Sequence, residues 1–168
     1  AAVFALGTAP DVVVQTRIPP DTMVMGDAVE LNRVFSNLLQ NAVRYGRNQT
    51  TGVAEIDIGA KTKDQWVLVK LRDHGAGVPP EQLSNLTKPF FRGDSARTAA
   101  AGAGLGLSIV DKTVQRMGGI FALANSSTGG LVAHLQLQRA TDLPDGVDPK
   151  QRLQRPSIKR QLPRRRAE

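Results

Sequence analysis

Three alternating glycines, Gly102, Gly104 and Gly106, stand directly before a segment whose apolar residues have helical spacing. A backbone without side chains can approach a ligand closely, and the free N–H groups at a helix start favour an anion. The pattern is therefore typical of a phosphate site at a helix N-terminus. The alternative is a flexible loop with a glycine-rich helix start. Neither a P-loop motif nor the dinucleotide motif GxGxxG is present.

A second segment places an acid at the end of an apolar row. The apolar residues of 67–71 would share one face of a strand, and Asp73 continues that face. Burying a carboxylate is costly unless it meets a hydrogen-bond donor, and an adenine amino group is such a donor. Gly75 and Gly77 would leave room for the ring. The alternative is an ordinary strand-terminating turn, since Asp and Gly are common turn residues.

Two amides lie on the polar side of a longer amphipathic segment. Asn37 and Asn41 are four residues apart, so a helix places them on one face, and Arg44 and Tyr45 follow within one turn. Amide oxygens beside a phosphate suit a hydrated Mg²⁺, which takes few protein ligands and keeps its waters. The alternative is the solvated back of an ordinary amphipathic helix.

Together these segments resemble a known family. The chain contains, in this order, NLLQN (37–41), DHGAG (73–77), PFFRG (89–93) and GAGLGL (102–107). They resemble the N, G1, F and G2 boxes of the histidine kinase catalytic domain, in the superfamily that includes gyrase, Hsp90 and MutL. The resemblance covers roughly residues 10–138, and the segments 41–46 and 91–98 look like those of EnvZ-type osmosensor kinases.

The resemblance implies ATP and Mg²⁺ as ligands. Asn41 would hold Mg²⁺ through its amide oxygen, Asn37 would help to place the metal or the phosphates, and Arg92 would approach the triphosphate. These three are the candidate catalytic residues. The residues that would contact the nucleotide are Asn41, Arg44, Tyr45, Asp73, Gly75, Gly77, Val78, Phe91, Arg92, Arg97, Thr98, Gly102, Gly104, Leu105, Gly106 and Leu107.

Within that set, the resemblance implies different positions around ATP. Asp73 would accept the adenine amino hydrogen, Tyr45 would lie against the ring, and Arg44 would reach the phosphate side. Val78 and Leu107 would form apolar walls. Residues 91–104 would form a lid, with Phe90 and Phe91 as its hinge and packing residues.

The residue at position 37 favours phosphoryl transfer over hydrolysis. ATPases of this superfamily place a glutamate one helical turn before the metal-binding asparagine, whereas this chain has Asn37. A neutral amide cannot act as a general base, so hydrolysis should be slow and ATP would await an external imidazole. His74 is expected to be exposed and non-catalytic and His134 to be structural, because neither lies in a helical acceptor pattern.

These points predict the catalytic domain of a two-component histidine kinase. The expected partners are a histidine-containing dimerisation domain and, indirectly, a response regulator. The alternatives are a serine/threonine kinase of the anti-sigma-factor type and a non-catalytic nucleotide-sensing module. The resemblance further implies a monomeric cytoplasmic domain of a bacterial inner-membrane sensor, without direct membrane contact.

Hydrophobic periodicity predicts the elements that must position these residues. The expected class is α+β, a two-layer sandwich with a mixed, mostly antiparallel sheet covered on one face by helices; the resemblance identifies it as the Bergerat ATP-binding fold. Strands are predicted at 11–17, 22–25, 53–60, 65–72, 119–125 and 131–137. A long helix is predicted from an N-cap at Asp27 to Tyr45, and a short one at 79–86. A third helix is predicted from the spacing of Leu107, Val110, Val114 and Met117.

Composition and charge limit the remaining function classes. The 168 residues include no cysteine and two histidines, which excludes disulfide, iron–sulfur and zinc-thiolate sites. The net charge of +7 belongs mostly to residues 139–168, with nine basic and four acidic side chains, so a nucleic-acid partner is not predicted.

We expect a linker at 1–9, the ATP-binding domain at 10–140 and a basic, disordered tail at 141–168. No apolar run approaches the length of a membrane-spanning helix.

Overall fold

One mixed sheet organises residues 11–91 and 105–140, the parts of the chain that the computed structural model describes. Its strand order is β1-β2-β3-β5-β4, with β1 and β2 parallel and the other pairs antiparallel. The elements are β1 (Val12–Arg17), α1 (Ala28–Tyr45), β2 (Ala54–Lys63), β3 (Trp66–Asp73), α2 (Pro80–Leu83), α3 (Gly106–Arg116), β4 (Ile120–Asn125) and β5 (Leu131–Gln138). The predicted α+β class is confirmed.

Helix α1 begins and ends where the sequence predicts. The Asp27 carboxylate accepts hydrogen bonds from the backbone N–H groups of Val29 (2.8 Å) and Glu30 (3.0 Å), which satisfies two donors at the helix start. The N–H of Gly46 donates to the Ala42 carbonyl (2.9 Å) and closes the last turn. The residues buried by α1 follow helical spacing: Val34, Leu38, Leu39 and Ala42.

The core lies between one face of the sheet and the helices α1 and α3. Alternation along β2, β3 and β5 sends every second side chain into this core. Its members include Ile56, Ile58, Val67, Val69, Leu71, Leu135 and Leu137 from the strands and Val110 and Val114 from α3. The opposite face of β2 and β3 carries polar side chains such as Asp57, Lys70 and Arg72. Both helices therefore share one side of the sheet, where their ends can meet.

The predicted strand at 22–25 is wrong. That segment makes only an isolated antiparallel bridge, between Val24 and Arg139, and β1 instead pairs in parallel with β2. Pro19 and Pro20 have no backbone N–H to donate to a neighbouring strand, so strand β1 ends before them, at Arg17. A turn follows, in which the N–H of Thr22 donates to the Pro19 carbonyl (3.1 Å).

Two other boundaries differ from the sequence prediction. The helix expected at 79–86 is limited to α2, which buries none of its side chains, so no packing extends it past one turn. The connection between the strands predicted at 53–60 and 65–72 is shorter than expected, because β2 continues to Lys63 and pairs there with Trp66 of β3. The other predicted strands and the helix through Val110 are confirmed within two residues.

The predicted linker (1–9), most of the lid (92–104) and the basic tail (141–168) lie outside the described residues. In the described part, the helices are all too short or too polar to cross a bilayer.

Candidate functional site

The two predicted amides of α1 face the first residue of α3. A Cβ added to Gly106 would lie 3.3 Å from Asn37 Oδ1 and 3.4 Å from Asn41 Nδ2. Asn37 donates its own Nδ2 hydrogen to the Arg33 carbonyl (2.9 Å), which orients its oxygen toward Gly106. The N and G2 segments, separated by more than sixty residues in sequence, are therefore neighbours in space.

The side-chain nitrogen Nδ2 of Asn41 is buried at this junction and makes no hydrogen bond to the described residues. Rotating the amide by half a turn would place Oδ1 at the same point. A buried polar atom without a partner is costly, which makes this amide fit a ligand that completes its coordination.

A Mg²⁺ ion fits this donor set. Magnesium commonly takes one or two protein oxygens together with phosphates and waters. The residues that the structure describes contain no cluster of three or more His, Asp or Glu side chains that could hold a metal. The amide of Asn41, with phosphate oxygens as further ligands, is consistent with that mode of binding.

The start of α3 supplies backbone donors beside the two amides. The first intrahelical bond runs from the N–H of Ile109 to the Leu105 carbonyl (2.9 Å), so the N–H groups of residues 106–108 precede the helical ladder. No described side chain caps this end. Leu107 packs partly against the core, which fixes the direction of the first turn. This end of the helix favours an anionic group.

Asp73 lies at the other end of the site and is buried, with 7% of its surface exposed. It continues the core face of β3 as predicted, in register with Ile56 of β2. Its Oδ1 accepts hydrogen bonds from the N–H groups of Gly75 and Leu131, both at 3.0 Å. Burial raises the pKa of Asp73, and these two bonds offset only part of that effect.

Three glycines allow the backbone to close around Asp73. A Cβ on Gly46 would overlap the Asp73 side chain, and its distance to Oδ2 would be 2.7 Å. A Cβ on Gly75 would lie 2.7 Å from the Gly46 Cα, so the end of α1 and the turn after β3 touch backbone to backbone. Gly130 has φ +87° and a Cβ there would overlap the Asp73 carbonyl. Neither Gly46 nor Gly130 was predicted from the sequence to contact Asp73.

Asn125 at the end of β4 holds the wall residue Val78. Its Oδ1 accepts the Val78 N–H (3.0 Å) and its Nδ2 donates to the Val78 carbonyl (2.6 Å). Gly77 has φ +74°, and a Cβ there would lie 2.8 Å from Asn125 Oδ1. The sequence analysis missed Asn125, because an asparagine before the turn SSTGG is an ordinary hairpin residue.

Arg44 and Tyr45 form a stacked pair at the C-terminal end of α1. The guanidinium carbon of Arg44 lies 5.4 Å from the centre of the Tyr45 ring, which is cation–π geometry. Asn41 lies about 7.5 Å back along the helix axis from Gly46 at the usual helical rise. The aromatic pair therefore lies at the C-terminal end of α1, whose following residue Gly46 contacts Asp73, and the amides that face α3 lie about one and two turns earlier.

The predicted hinge and lid are described only in part. Phe90 is 74% exposed and has φ 63°, a strained conformation for a residue with a side chain. Phe91 donates its N–H to the Lys88 carbonyl (3.3 Å). The remaining predicted contacts of this segment lie outside the described residues: Arg92, Arg97, Thr98, Gly102 and Gly104.

The two histidines differ from one another in environment. His74 is not fully exposed as predicted, because its Nε2 lies 2.9 Å from Asp57 Oδ2 and 30% of its side chain is accessible. His134 lies opposite Lys70 on the open face, and partial burial, then the Lys70 charge, lower its pKa. Its assignment as structural stays a prediction.

The profile of the histidine kinase-, DNA gyrase B- and HSP90-like ATPases matches residues 26–141. The chain belongs to that family. Its relatives include the signal transduction histidine-protein kinase BaeS of Escherichia coli, 33% identical over 130 residues, which are 77% of this chain and 27% of BaeS. The sensor protein VanS of Enterococcus faecium is 35% identical over 111 residues, 65% of this chain and 28% of VanS.

Solved structures agree with the family assignment. The mycobacterial sensor histidine kinase MprB superposes with a TM-score of 0.71 at 25% identity, covering 82% of this chain and 91% of that one. The histidine kinase domain of the Escherichia coli osmosensor EnvZ gives 0.60 at 31% identity and 87% coverage of both chains. The chain spans only 14–28% of the length of the first six curated relatives. It corresponds to the ATP-binding catalytic domain of sensor histidine kinases.

Proposed function

We propose that this chain binds Mg·ATP between α1, the turn after β3 and the start of α3, and transfers the γ-phosphoryl group to a histidine of a separate dimerisation domain. The observation that carries the proposal is that Asn37 and Asn41, on the middle and later turns of α1, meet Gly106, while buried Asp73 lies at the C-terminal end of the same helix. This spacing provides a polar acceptor for adenine at one end and backbone donors for phosphates at the other.

In the proposed complex, each end of the site has a separate task. Asp73 accepts the adenine amino hydrogen through Oδ2, since Oδ1 already accepts two backbone N–H groups. The Tyr45 ring lies against the base. The N–H groups at the start of α3 bind phosphate oxygens, and Asn41 offers its amide oxygen to Mg²⁺. The metal, when bound, neutralises charge on the transferring phosphoryl group.

Asn37 explains why transfer rather than hydrolysis is proposed. Its amide is neutral and donates to the Arg33 carbonyl, so no general base for water is available at that position. A neutral imidazole needs no such base, because its nitrogen is already nucleophilic. Catalysis then consists of positioning and charge neutralisation.

The parent protein is proposed to be a two-component sensor kinase of the inner bacterial membrane, with this chain on the cytoplasmic side and a response regulator downstream. The names of the relatives, a signal transduction histidine-protein kinase and a sensor protein, support a sensor kinase as the parent. An osmosensor type, as in EnvZ, is one form that the parent could take, and the EnvZ structure is similar to this chain over most of its length.

Phosphotransfer to an added acceptor tests the proposal. The chain is mixed with Mg²⁺, labelled ATP and the isolated histidine-containing dimerisation domain of a relative such as BaeS. We expect label on the acceptor that is lost in acid and retained in base, as phosphohistidine requires. Acid-stable label on serine or threonine would instead support the anti-sigma-factor type of kinase.

The variant Asn41→Ala tests whether labelling depends on the proposed site. Asn32→Ala is its matched control, because Asn32 is an exposed amide of the same helix. We expect labelling to fall about a hundredfold or more in the first variant and to persist in the second. Binding of ATP without transfer to any acceptor would leave the nucleotide-sensing alternative and overturn the kinase proposal.

A further inference from the structure

His74 lies directly behind the adenine end of the site. It follows Asp73 in sequence, but alternation along the strand sends the two side chains to opposite faces of the sheet. Asp73 enters the core, whereas His74 lies on the open face, where its Nε2 is 2.9 Å from Asp57 Oδ2 of β2. Both side chains are partly shielded, with 30% and 36% of their surfaces accessible.

The surroundings of His74 single out Asp57 as its partner. The pair lines a groove of about 470 Å³, to which β1 contributes Arg17 and β2 contributes Glu55. Glu55 accepts a hydrogen bond from Asn48 (3.3 Å). On β3, Arg72 is in register with Asp57 but directs its guanidinium to the turn between β4 and β5.

The contact with Asp57 fixes the middle of a three-residue turn. Asp73 Oδ1 accepts the N–H of Gly75, so the residues on either side of His74 are joined to each other. Ile56, the residue before Asp57, is in register with Asp73. A bond from His74 to β2 on the open face therefore restrains the direction in which the Asp73 carboxylate enters the core. A charge on the His74 imidazole also lowers the pKa of Asp73, against the effect of burial.

We propose that His74 and Asp57 form a positioning pair that aims the Asp73 carboxylate at the adenine amino group. This inference rests on the proposed nucleotide site. A hydrogen bond to a carboxylate is stronger than one between neutral groups, so the contact with Asp57 holds the turn on the open face of the sheet.

Calorimetric ATP titrations test the pair. The variants are His74→Ala and Asp57→Ala, each of which removes one side of the contact. Relative to the unmodified chain, we expect each to bind ATP about threefold more weakly. His134→Ala is the matched control, because it removes the other histidine of the open face, and it should bind ATP as the unmodified chain does.

Inosine triphosphate separates a positioning role from a general structural one. It lacks the 6-amino group that Asp73 would bind, so the two variants should not differ from the unmodified chain with this ligand. An equal loss for both nucleotides would overturn the positioning role, as would variants that match the unmodified chain with ATP. Equal affinity of the unmodified chain for ATP and inosine triphosphate would instead contradict the proposed function of Asp73.

Discussion

Asp73 combines burial with a partly satisfied carboxylate, and this combination suits an adenine acceptor. Two backbone N–H groups hold Oδ1, while Oδ2 lies beside Gly46. Because burial raises its pKa, the charged form is less stable here than in solvent. A ligand that donates a hydrogen bond to the charged form recovers part of that free energy.

Asp73→Asn should weaken ATP binding about tenfold or more, because the amide presents a donor where adenine also donates. Asn can still accept the two backbone N–H groups through its oxygen, so the fold should persist. Calorimetry and far-UV circular dichroism measure the two effects. Asp21→Asn, at an exposed aspartate, is the control and should bind ATP normally. Equal affinity of the two variants would remove Asp73 from the adenine contact.

The raised pKa of Asp73 predicts opposite pH trends for binding and stability. As the pH falls through the raised value toward the ordinary 3.8, the carboxyl protonates and ATP affinity should fall, relative to Asp73→Asn. The folded chain holds this proton more tightly than the unfolded chain does. The contribution of Asp73 to the unfolding free energy should therefore rise as the pH falls through the same window, and be lost as it rises. Urea unfolding of both proteins between pH 4 and pH 7 checks the sign.

Asn41 should make ATP affinity depend on magnesium. Asn41→Asp adds a negative charge beside the triphosphate and the start of α3, so we expect the affinity for Mg·ATP to change by about tenfold. Titrations with and without Mg²⁺ measure it, with Asn32→Asp as the control on the same helix. An unchanged magnesium dependence would rule out the metal role.

At the scale of elements, α1 connects the two ends of the site. Its cap at Asp27 and its buried stripe fix its position over the sheet. Its last turn contacts Asp73 through Gly46, and its middle contacts the start of α3 through Asn37 and Asn41. A substitution directly after the C-terminal end of α1 should therefore change the contacts of Asp73 without altering the core.

Gly46→Ala tests that contact. The added methyl group would overlap the Asp73 side chain, so we expect a loss of about 1–3 kcal/mol in unfolding free energy and weaker ATP binding. Gly59→Ala is the matched control, because a Cβ there would meet only the Arg17 carbonyl at 3.8 Å. Denaturant unfolding and calorimetry measure both variants. Similar losses at the two positions would indicate a general cost of alanine rather than a clash with Asp73.

In the molecule as a whole, the described sheet and its two long helices enclose one core. After β5, the N–H of Ala140 donates to the Met23 carbonyl (3.1 Å). The core cluster draws on β2, β3, β5, α1 and α3. The charge that dominates the composition is therefore separate in sequence from the residues that form the candidate site.

Deleting residues 143–168 should leave both the unfolding free energy and the ATP affinity nearly unchanged. None of the residues assigned to the nucleotide contacts lies in that segment. Side-by-side calorimetry and urea unfolding of the full and shortened chains measure this outcome. A large loss of ATP affinity would show that the C-terminal segment belongs to the site.

Much of the fold was predictable because its signals are local. The cap at Asp27, the helical spacing through Ala42 and the alternation along β2 and β3 are properties of short segments, and each appeared as expected. The segment 22–25 was not predictable in this way. Its apolar residues predicted a strand, but whether a segment pairs depends on which strands lie beside it in the sheet.

The residue types of the candidate site, the bounds of α1 and the place of Asp73 at the end of an apolar row all follow from short segments of the chain. The folded chain was needed to show which residues meet: Gly46 with Asp73, Asn41 with Gly106, and Asp57 with His74. The difference arises because periodicity and capping act within a few residues. Contacts between distant segments depend on strand order, register and the close approach that glycine permits.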